Sequence, residues 1–245
     1  MNTRPFFVML AWVMSVGTAH AVPQAALSSA NKPDMGKYAA QHPVPVRKIT
    51  APTVAFKELE GEARREAVAK VEAYLSTLSS IVANFSQISA DGSMGTGKFF
   101  LKRPGKMRWQ YNPPTPLLLV SDGKSMTYYD PGLDQVTYIG VDDTLAGFLA
   151  QKTIRLDSAS TRLTALAAGE GMISATIVQA KKPDEGSLTL EFSAAPLKIR
   201  NIIAVDATGN ETRVTLENAQ FGPILDDKLF VFVDPRGVND RRNRK

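Results

Sequence analysis

The stretch Phe99-Phe100-Leu101-Lys102-Arg103-Pro104-Gly105-Lys106-Met107-Arg108-Trp109-Gln110-Tyr111 decides the fold. A Pro-Gly pair sits at its centre. After it, Met107, Trp109 and Tyr111 alternate with Lys106, Arg108 and Gln110. A period of two around a turn is the pattern of two antiparallel strands with one apolar face and one wet face.

The same rhythm runs outward in both directions. Strand candidates are Asn84–Ser89, Gly97–Lys102, Lys106–Tyr111, Leu117–Ser121, Ser125–Tyr129 and Gln135–Gly140. Asp91-Gly92, Pro113-Pro114, Asp122-Gly123 and Pro131-Gly132 punctuate them as turns. A second set reads Ile173–Gln179, Ser187–Phe192, Lys198–Val205, Thr212–Leu216 and Leu229–Val233. There Leu188, Leu190 and Phe192 alternate with Thr189 and Glu191. The short spacing between strands predicts antiparallel meanders.

Three helical segments accompany the strand pattern. From Glu62 to Ala83, apolar residues at Val68, Val71, Leu75, Leu78, Val82 and Phe85 form one stripe, which predicts an amphipathic helix lying on the sheet. Thr144 to Ala150 reads as a short helix capped by Asp143 or Thr144. Ser158 to Ala168, with Leu163 and Leu166, reads as another. The sum is a mainly β, α+β chain. It predicts an incomplete antiparallel β-barrel of about eleven strands with a helical lid at its mouth.

The ends read differently. Arg4, the apolar run Phe6 to Val16 and Ala19-His20-Ala21 make residues 1–21 a cleaved export signal, since the run is too short to span a bilayer. Residues 22–58 hold Pro23, Pro33, Pro43, Pro45 and Pro52, and read as a proline-rich flexible segment. The folded domain is expected over 59–240, with a basic tail at 241–245.

Composition removes many functions. The chain has 245 residues, no cysteine and two histidines, His20 and His42. Without cysteine there is no disulfide, thiolate metal site or cysteine nucleophile. Export would remove His20, and His42 lies among prolines, so neither a Ser-His-Asp arrangement nor a histidine metal site is legible. Gly92, Gly95 and Gly97 lie between strands and do not open a helix, as a phosphate loop would. The formal charge of +5 is spread over the chain, and an exported protein is not expected to meet nucleic acid. A carboxylate hydrolase would need Asp122, Asp130 or Asp134 inside the barrel with raised pKa, but each lies in a turn. No catalytic residue, metal or cofactor is expected. Aromatics make up only 8% of the chain, too few to fill a large barrel, so a concave apolar face remains as a site for an apolar ligand.

Several blocks in order carry a family resemblance. They are Asn84-Phe85-Ser86-Gln87, Phe99-x-Leu101-Lys102-Arg103-Pro104-Gly105-Lys106-Met107-Arg108-Trp109-x-Tyr111, Pro116, Val120-Ser121-Asp122-Gly123-Lys124 and Tyr129-Asp130-Pro131. Leu133-Asp134-Gln135-Val136 and Phe230-x-Phe232-x-x-Pro235-x-Gly237-Val238 complete the set. Over about residues 65–240 the chain resembles a LolA-type outer-membrane lipoprotein carrier. The stretch at 155–185 matches least.

The resemblance implies a non-enzymatic periplasmic chaperone. It would take acylated lipoproteins from an inner-membrane ABC-type lipoprotein-releasing complex and pass them, as a monomer, to an outer-membrane lipoprotein acceptor. Arg103 matches the arginine that hydrogen-bonds the lid, and the lid is expected at Leu145, Gly147, Phe148 and Leu149. Strand alternation gives Phe99, Leu101, Met107, Trp109, Leu118, Val120, Met126, Tyr128, Leu190 and Phe192 as the acyl-chain cavity. A sensor of lipoprotein, or another apolar-ligand binder on the same half-barrel, is the alternative, because fold alone does not fix function.

Overall fold

The computed structural model describes residues 55–140 and 145–235. The export signal, most of the proline-rich segment, the basic tail, His42 and the Asp143/Thr144 cap lie outside the described residues.

Strand β1 (Lys57–Glu58) comes first, followed by helix α1 (Gly61–Thr77). One meander runs through β2 (Ser80–Ile88), β3 (Met94–Lys102), β4 (Lys106–Tyr111), β5 (Leu118–Asp122), β6 (Ser125–Asp130) and β7 (Gln135–Gly140). A short 3-10 helix, Leu145–Ala150, leads to the second meander. Its strands are β8 (Thr161–Gly169), β9 (Met172–Gln179), β10 (Gly186–Ala194), β11 (Leu197–Asp206) and β12 (Glu211–Phe221). The two meanders join where β12 pairs with β2, giving one antiparallel sheet of twelve strands in the order β1-β8-β9-β10-β11-β12-β2-β3-β4-β5-β6-β7. The outermost strands, β1 and β7, are sequential neighbours of neither each other nor a common partner in that order, so the barrel stays open.

The inner face forms a single apolar core with α1 and the 3-10 helix. Val71 and Leu75 of α1 are wholly buried, and so are Leu145 and Phe148. Tyr74 fixes the helix across the sheet. Its hydroxyl accepts the Ile199 N–H of β11 at 3.1 Å, and its ring meets those of Phe192 and Phe221 edge-on. Burial holds the Tyr74 hydroxyl above its ordinary pKa, against the lowering pull of the Ile199 amide and of Arg103.

Four sequence expectations shift. The first is the helix predicted to Ala83, which stops at Thr77. Ser79, Ser80 and the β-branched Ile81 and Val82 favour strand, and β2 gains ladders on both sides, to β3 and β12. The stripe continues past the helix only because Leu78 lies at the junction and Phe85 faces inward from β2.

The second is the helix expected at Ser158–Ala168, which is strand β8. A bulge at Thr164 explains the misreading. The register steps from Leu163 opposite Ile177 to Ala165 opposite Thr176. One extra residue lets Leu163 and Leu166 face inward three apart, which imitates a helical spacing.

The third is the strand expected at Leu229–Val233. It is replaced by a 3-10 turn at Asp227–Phe230, whose second amide, Lys228 N–H, is capped by the Asp226 carboxylate at 2.9 Å. This C-terminal strap crosses the outer side of β4 and β5.

The last is the tail boundary: Lys57 and Glu58, placed in the flexible segment, pair with Ala168 and Ala167. Adding β1 and β8 and removing Leu229–Val233 turns about eleven expected strands into twelve.

Candidate functional site

The mouth of the half-barrel is built from two turns and a helix end. Gly105 closes the β3–β4 turn with φ of +78°, and Gly123 closes the β5–β6 turn with φ of +99°. The two turns abut so closely that a Cβ on Gly105 would stand 2.5 Å from Gly123 Cα. The Ser121 hydroxyl donates to Gly105 C=O at 2.7 Å and locks them together. The third element is the C-terminal end of the 3-10 helix.

A helix end leaves carbonyls without intrahelical partners. Here Leu149 C=O accepts Arg103 Nε–H at 2.7 Å, and Ala150 C=O accepts the Gly105 N–H at 2.6 Å. Arg103 Nη1 also donates to Leu75 C=O, at the last turn of α1. One guanidinium thus ties the two covering helices to each other and to the rim of the sheet. The fork geometry of arginine suits this: lysine would bring only a flexible point charge. Burial lowers the Arg103 pKa to about 10, opposed by the nearby Tyr74, so it remains charged at neutral pH. The same burial makes the closed arrangement costly, because opening would return the charge to water.

A second clasp lies on the same face of α1. The Glu72 carboxylate accepts the Leu156 N–H at 2.8 Å through Oε1 and pairs with Arg155 Nη1 at 2.7 Å through Oε2. Helical periodicity places Glu72 on the polar side, yet it is buried. The only sequence hint is that Glu72 adjoins the apolar stripe beside Val71.

Cross-strand register decides what faces the core. Phe99 stands opposite Trp109, and Trp109 opposite Leu119, which in turn faces Tyr128. Leu101, Met107, Ser121 and Met126 form the adjacent row. Phe99, Leu101, Met107, Trp109, Met126, Tyr128, Leu190 and Phe192 therefore belong to the inner core. Leu118 and Val120 do not. Leu118 pairs with Gln110 and Tyr129, and Val120 with Arg108 and Thr127, so both lie on the outer face. The run Leu117-Leu118-Leu119-Val120 is apolar at every position, so the inward parity expected at Leu118 and Val120 had no polar residue to fix it; Leu117 and Leu119 are the inward residues. Val120 is buried on the outer side instead, where the C-terminal strap lies over β5.

Aromatic rings fill the deeper inner face. Phe85 meets Trp109 and Tyr111 edge-on, with centroids 5.2 and 4.9 Å apart, and Phe99 lies 4.2 Å from Trp109. Gly97 makes room for Phe85: an added Cβ would stand 2.6 Å from its ring. Beyond them Tyr111 donates its hydroxyl proton to Gln87 Oε1 at 2.6 Å, while Gln87 Nε2 donates to the Ser89 hydroxyl. A guest reaching these rings must displace the covering helices. Beside the 3-10 helix an open groove of about 680 Å³ is lined by Leu145, Phe148, Arg155, Thr161, Lys181 and Lys182, among others.

Of the acids considered for hydrolysis, only Asp130 touches this face, where it accepts the Tyr128 hydroxyl proton at 3.3 Å. Asp122 accepts the N–H groups of Lys124 and Ser125; partial burial opposes ionisation, but these amides outweigh it and hold its pKa low. Asp130 accepts the N–H groups of Gly132 and Leu133, and Asp134 occupies a turn with φ of +49°. Among the described residues no group of three or more acids or histidines is arranged to hold a metal.

The family profile described as "Outer membrane lipoprotein carrier protein LolA" matches residues 76–233. An outer-membrane lipoprotein carrier protein of Pseudomonas fluorescens is 30% identical over 200 residues, covering 78% of this chain and 96% of the relative. Its counterpart in Pseudomonas paraeruginosa is 31% identical over 182 residues, covering 71% and 86%. A LolA-superfamily structure from Nitrosomonas europaea overlaps 67% of this chain and 97% of its own at 9% identity, with a TM-score of 0.37. That overlap is loose, and the assignment rests on the sequence matches. With the profile spanning most of the folded region and the relatives nearly full-length, the chain belongs to the LolA family of outer membrane lipoprotein carriers.

Proposed function

We propose that this protein binds the acyl chains of lipoproteins against the inner face of its half-barrel and carries them across the periplasm. Cargo would come from an inner-membrane ABC-type releasing complex and leave to an outer-membrane acceptor. Residues 1–21 would direct export and be removed, and the carrier would act as a monomer. The lid is the 3-10 helix with Leu145, Gly147, Phe148 and Leu149, and Arg103 is its lock. Phe99, Leu101, Met107, Trp109, Met126, Tyr128, Leu190 and Phe192 would line the cavity, with Leu117 and Leu119 in place of Leu118 and Val120.

The observation that carries this reading is the Arg103 fork on the Leu75 and Leu149 carbonyls. It adds a few polar contacts to the apolar packing that holds two helices over the sheet face. Hydrogen bonds to a charged group are worth about 1.5–3 kcal/mol each. Each buried CH₂ gains about 0.8 kcal/mol, so a handful of methylenes would offset the clasp. Closure over the empty face then competes with loading and lowers net affinity, which permits release without nucleotide.

The test is mass spectrometry of the protein isolated from periplasm. Acylated polypeptide should accompany it, and should accumulate on Arg103→Leu. Protein free of acylated polypeptide in both forms would refute the carrier reading.

A further inference from the structure

Trp109 is 3% exposed, and its indole Nε1–H has no hydrogen-bond partner. Its polar neighbours on the inner face are satisfied. The Tyr111 hydroxyl, two residues along the same strand, is bonded to Gln87, and the Tyr128 hydroxyl to Asp130. Leaving a buried donor unpaired costs about 1–3 kcal/mol, and indole N–H groups usually find a partner when buried. Among the described residues one other buried side-chain polar atom lacks a partner, Arg103 Nη2. It too is a donor. It belongs to the turn that follows β3, the strand paired with that of Trp109, at the rim of the half-barrel. The unmet needs of this face are for acceptors alone.

Plain hydrocarbon could not meet them. We infer that the inner face recognises ester-linked acyl chains, with Trp109 Nε1–H donating to an acyl carbonyl of the guest. This deepens the carrier reading and rests on it. The indole is a selectivity element: it distinguishes a chain that brings a carbonyl from one of equal length that does not. In the closed state the donor is unpaired, which also lowers the cost of opening to a guest that satisfies it.

The chain has two tryptophans, Trp12 in the export signal and Trp109. In a Trp12→Phe background Trp109 is therefore the sole indole. The probes are dioctanoylglycerol and its diether counterpart, dioctylglycerol, which has the same chains without carbonyls. Quenching of Trp109 gives both affinities for the background protein, and a fluorescent acyl probe displaced by each lipid gives them for Trp109→Phe. The ester should bind about fivefold more tightly than the ether, and Trp109→Phe should erase that ratio, whatever it does to the affinity for either lipid alone. In a ¹⁵N-labelled sample the indole N–H resonance should move downfield with the ester and not with the ether, a readout that does not depend on any substitution at Trp109. Equal affinities with an unmoved resonance, or an ester preference retained by Trp109→Phe, would overturn the inference and leave the carrier reading standing. Binding of neither lipid would remove both.

Discussion

Glu72 of α1 holds Leu156, the residue that leads toward β8, by a 2.8 Å hydrogen bond from the Leu156 N–H. The same carboxylate reaches Arg155 at 2.7 Å. Three residues on, the Leu75 carbonyl takes Arg103. One face of α1 therefore fastens Leu156 directly, by a carboxylate, and the end of the 3-10 helix at Leu149 through Arg103, by a carbonyl. In both clasps α1 supplies the acceptor, but they respond to different substitutions.

Glu72→Ala should lower stability by about 2–3 kcal/mol, because it leaves the Leu156 N–H buried without an acceptor. Glu72→Gln keeps an acceptor for that amide and loses only the charge toward the largely exposed Arg155, so it should cost no more than about 1 kcal/mol. Hydrogen exchange at the Leu156 amide is the direct readout. Unchanged protection in Glu72→Ala would contradict the assignment of this clasp.

Arg103→Leu should free the 3-10 helix while leaving the strands intact. The lost contacts are charge-assisted, but the substitution also relieves a buried charge, so the net loss for the empty protein is placed at about 1–3 kcal/mol. The Gly105–Ala150 bond remains, so exchange should rise first at Phe148 and Leu149. Acylated polypeptide should stay on this variant when an acceptor is offered. Delivery at the normal rate would show that the fork plays no part in release.

How far the sequence reaches is visible along β4 and β5. Met107, Trp109 and Tyr111 alternate with charged or amide residues, so their inward direction is legible. Leu117 to Val120 carries no polar residue, and only pairing with Trp109 and Gln110 fixes which leucine faces in. β8 failed for a related reason: its bulge puts inward residues three apart. The Arg103 contact was reached through resemblance, since an arginine before a proline is otherwise an ordinary turn residue. The Gly105 N–H has no sequence signal and Glu72 only its place beside Val71, because their roles arise from chain segments far apart in sequence.

The parity of β5 gives its own test. Leu119 is 2% exposed and opposite Trp109, so Leu119→Ala should cost about 2–4 kcal/mol by the usual penalty of a core cavity. Leu118 is only half-buried on the outer face, and Leu118→Ala should cost about 1 kcal/mol or less. Urea unfolding of the pair separates the two registers. A larger loss at Leu118 would restore the parity expected from alternation.

The C-terminal strap should respond to acid. Asp227 pairs with Lys102 at 2.5 Å and Lys106 at 2.9 Å, and these hydrogen-bonded ammonium groups hold its pKa below the usual 3.8. A depressed carboxylate contributes fully above its unfolded value and loses that contribution as pH falls through its folded value. The strap should stay in place from neutral pH down to about pH 4 and loosen only below it. Asp227→Asn should loosen it already at neutral pH. Amide shifts of Lys228 to Phe230 follow this directly, and strap loss between about pH 5 and 7 in the unaltered protein would contradict the assignment.

The aromatic floor depends on one small residue. At Gly97 an added Cβ would stand 2.2 Å from the Gln110 carbonyl oxygen and 2.6 Å from the Phe85 ring. The carbonyl belongs to the paired strand and cannot turn aside, and Phe85 is held edge-on by Trp109 and Tyr111. Gly97→Ala should therefore separate β3 from β4 locally and cost about 1–3 kcal/mol, the range for an overpacked core. Gly95→Ala, two residues earlier on the same face, meets the Tyr111 side chain at 3.3 Å, which needs a shift of only a few tenths of an ångström. Its cost should be clearly smaller. In the Trp12→Phe background, Gly97→Ala should also alter Trp109 emission, because Phe85 can no longer keep its place against the indole. An unaltered emission with unaltered stability would mean that Phe85 has another position open to it, and that the rings are less tightly interlocked than their centroid distances imply.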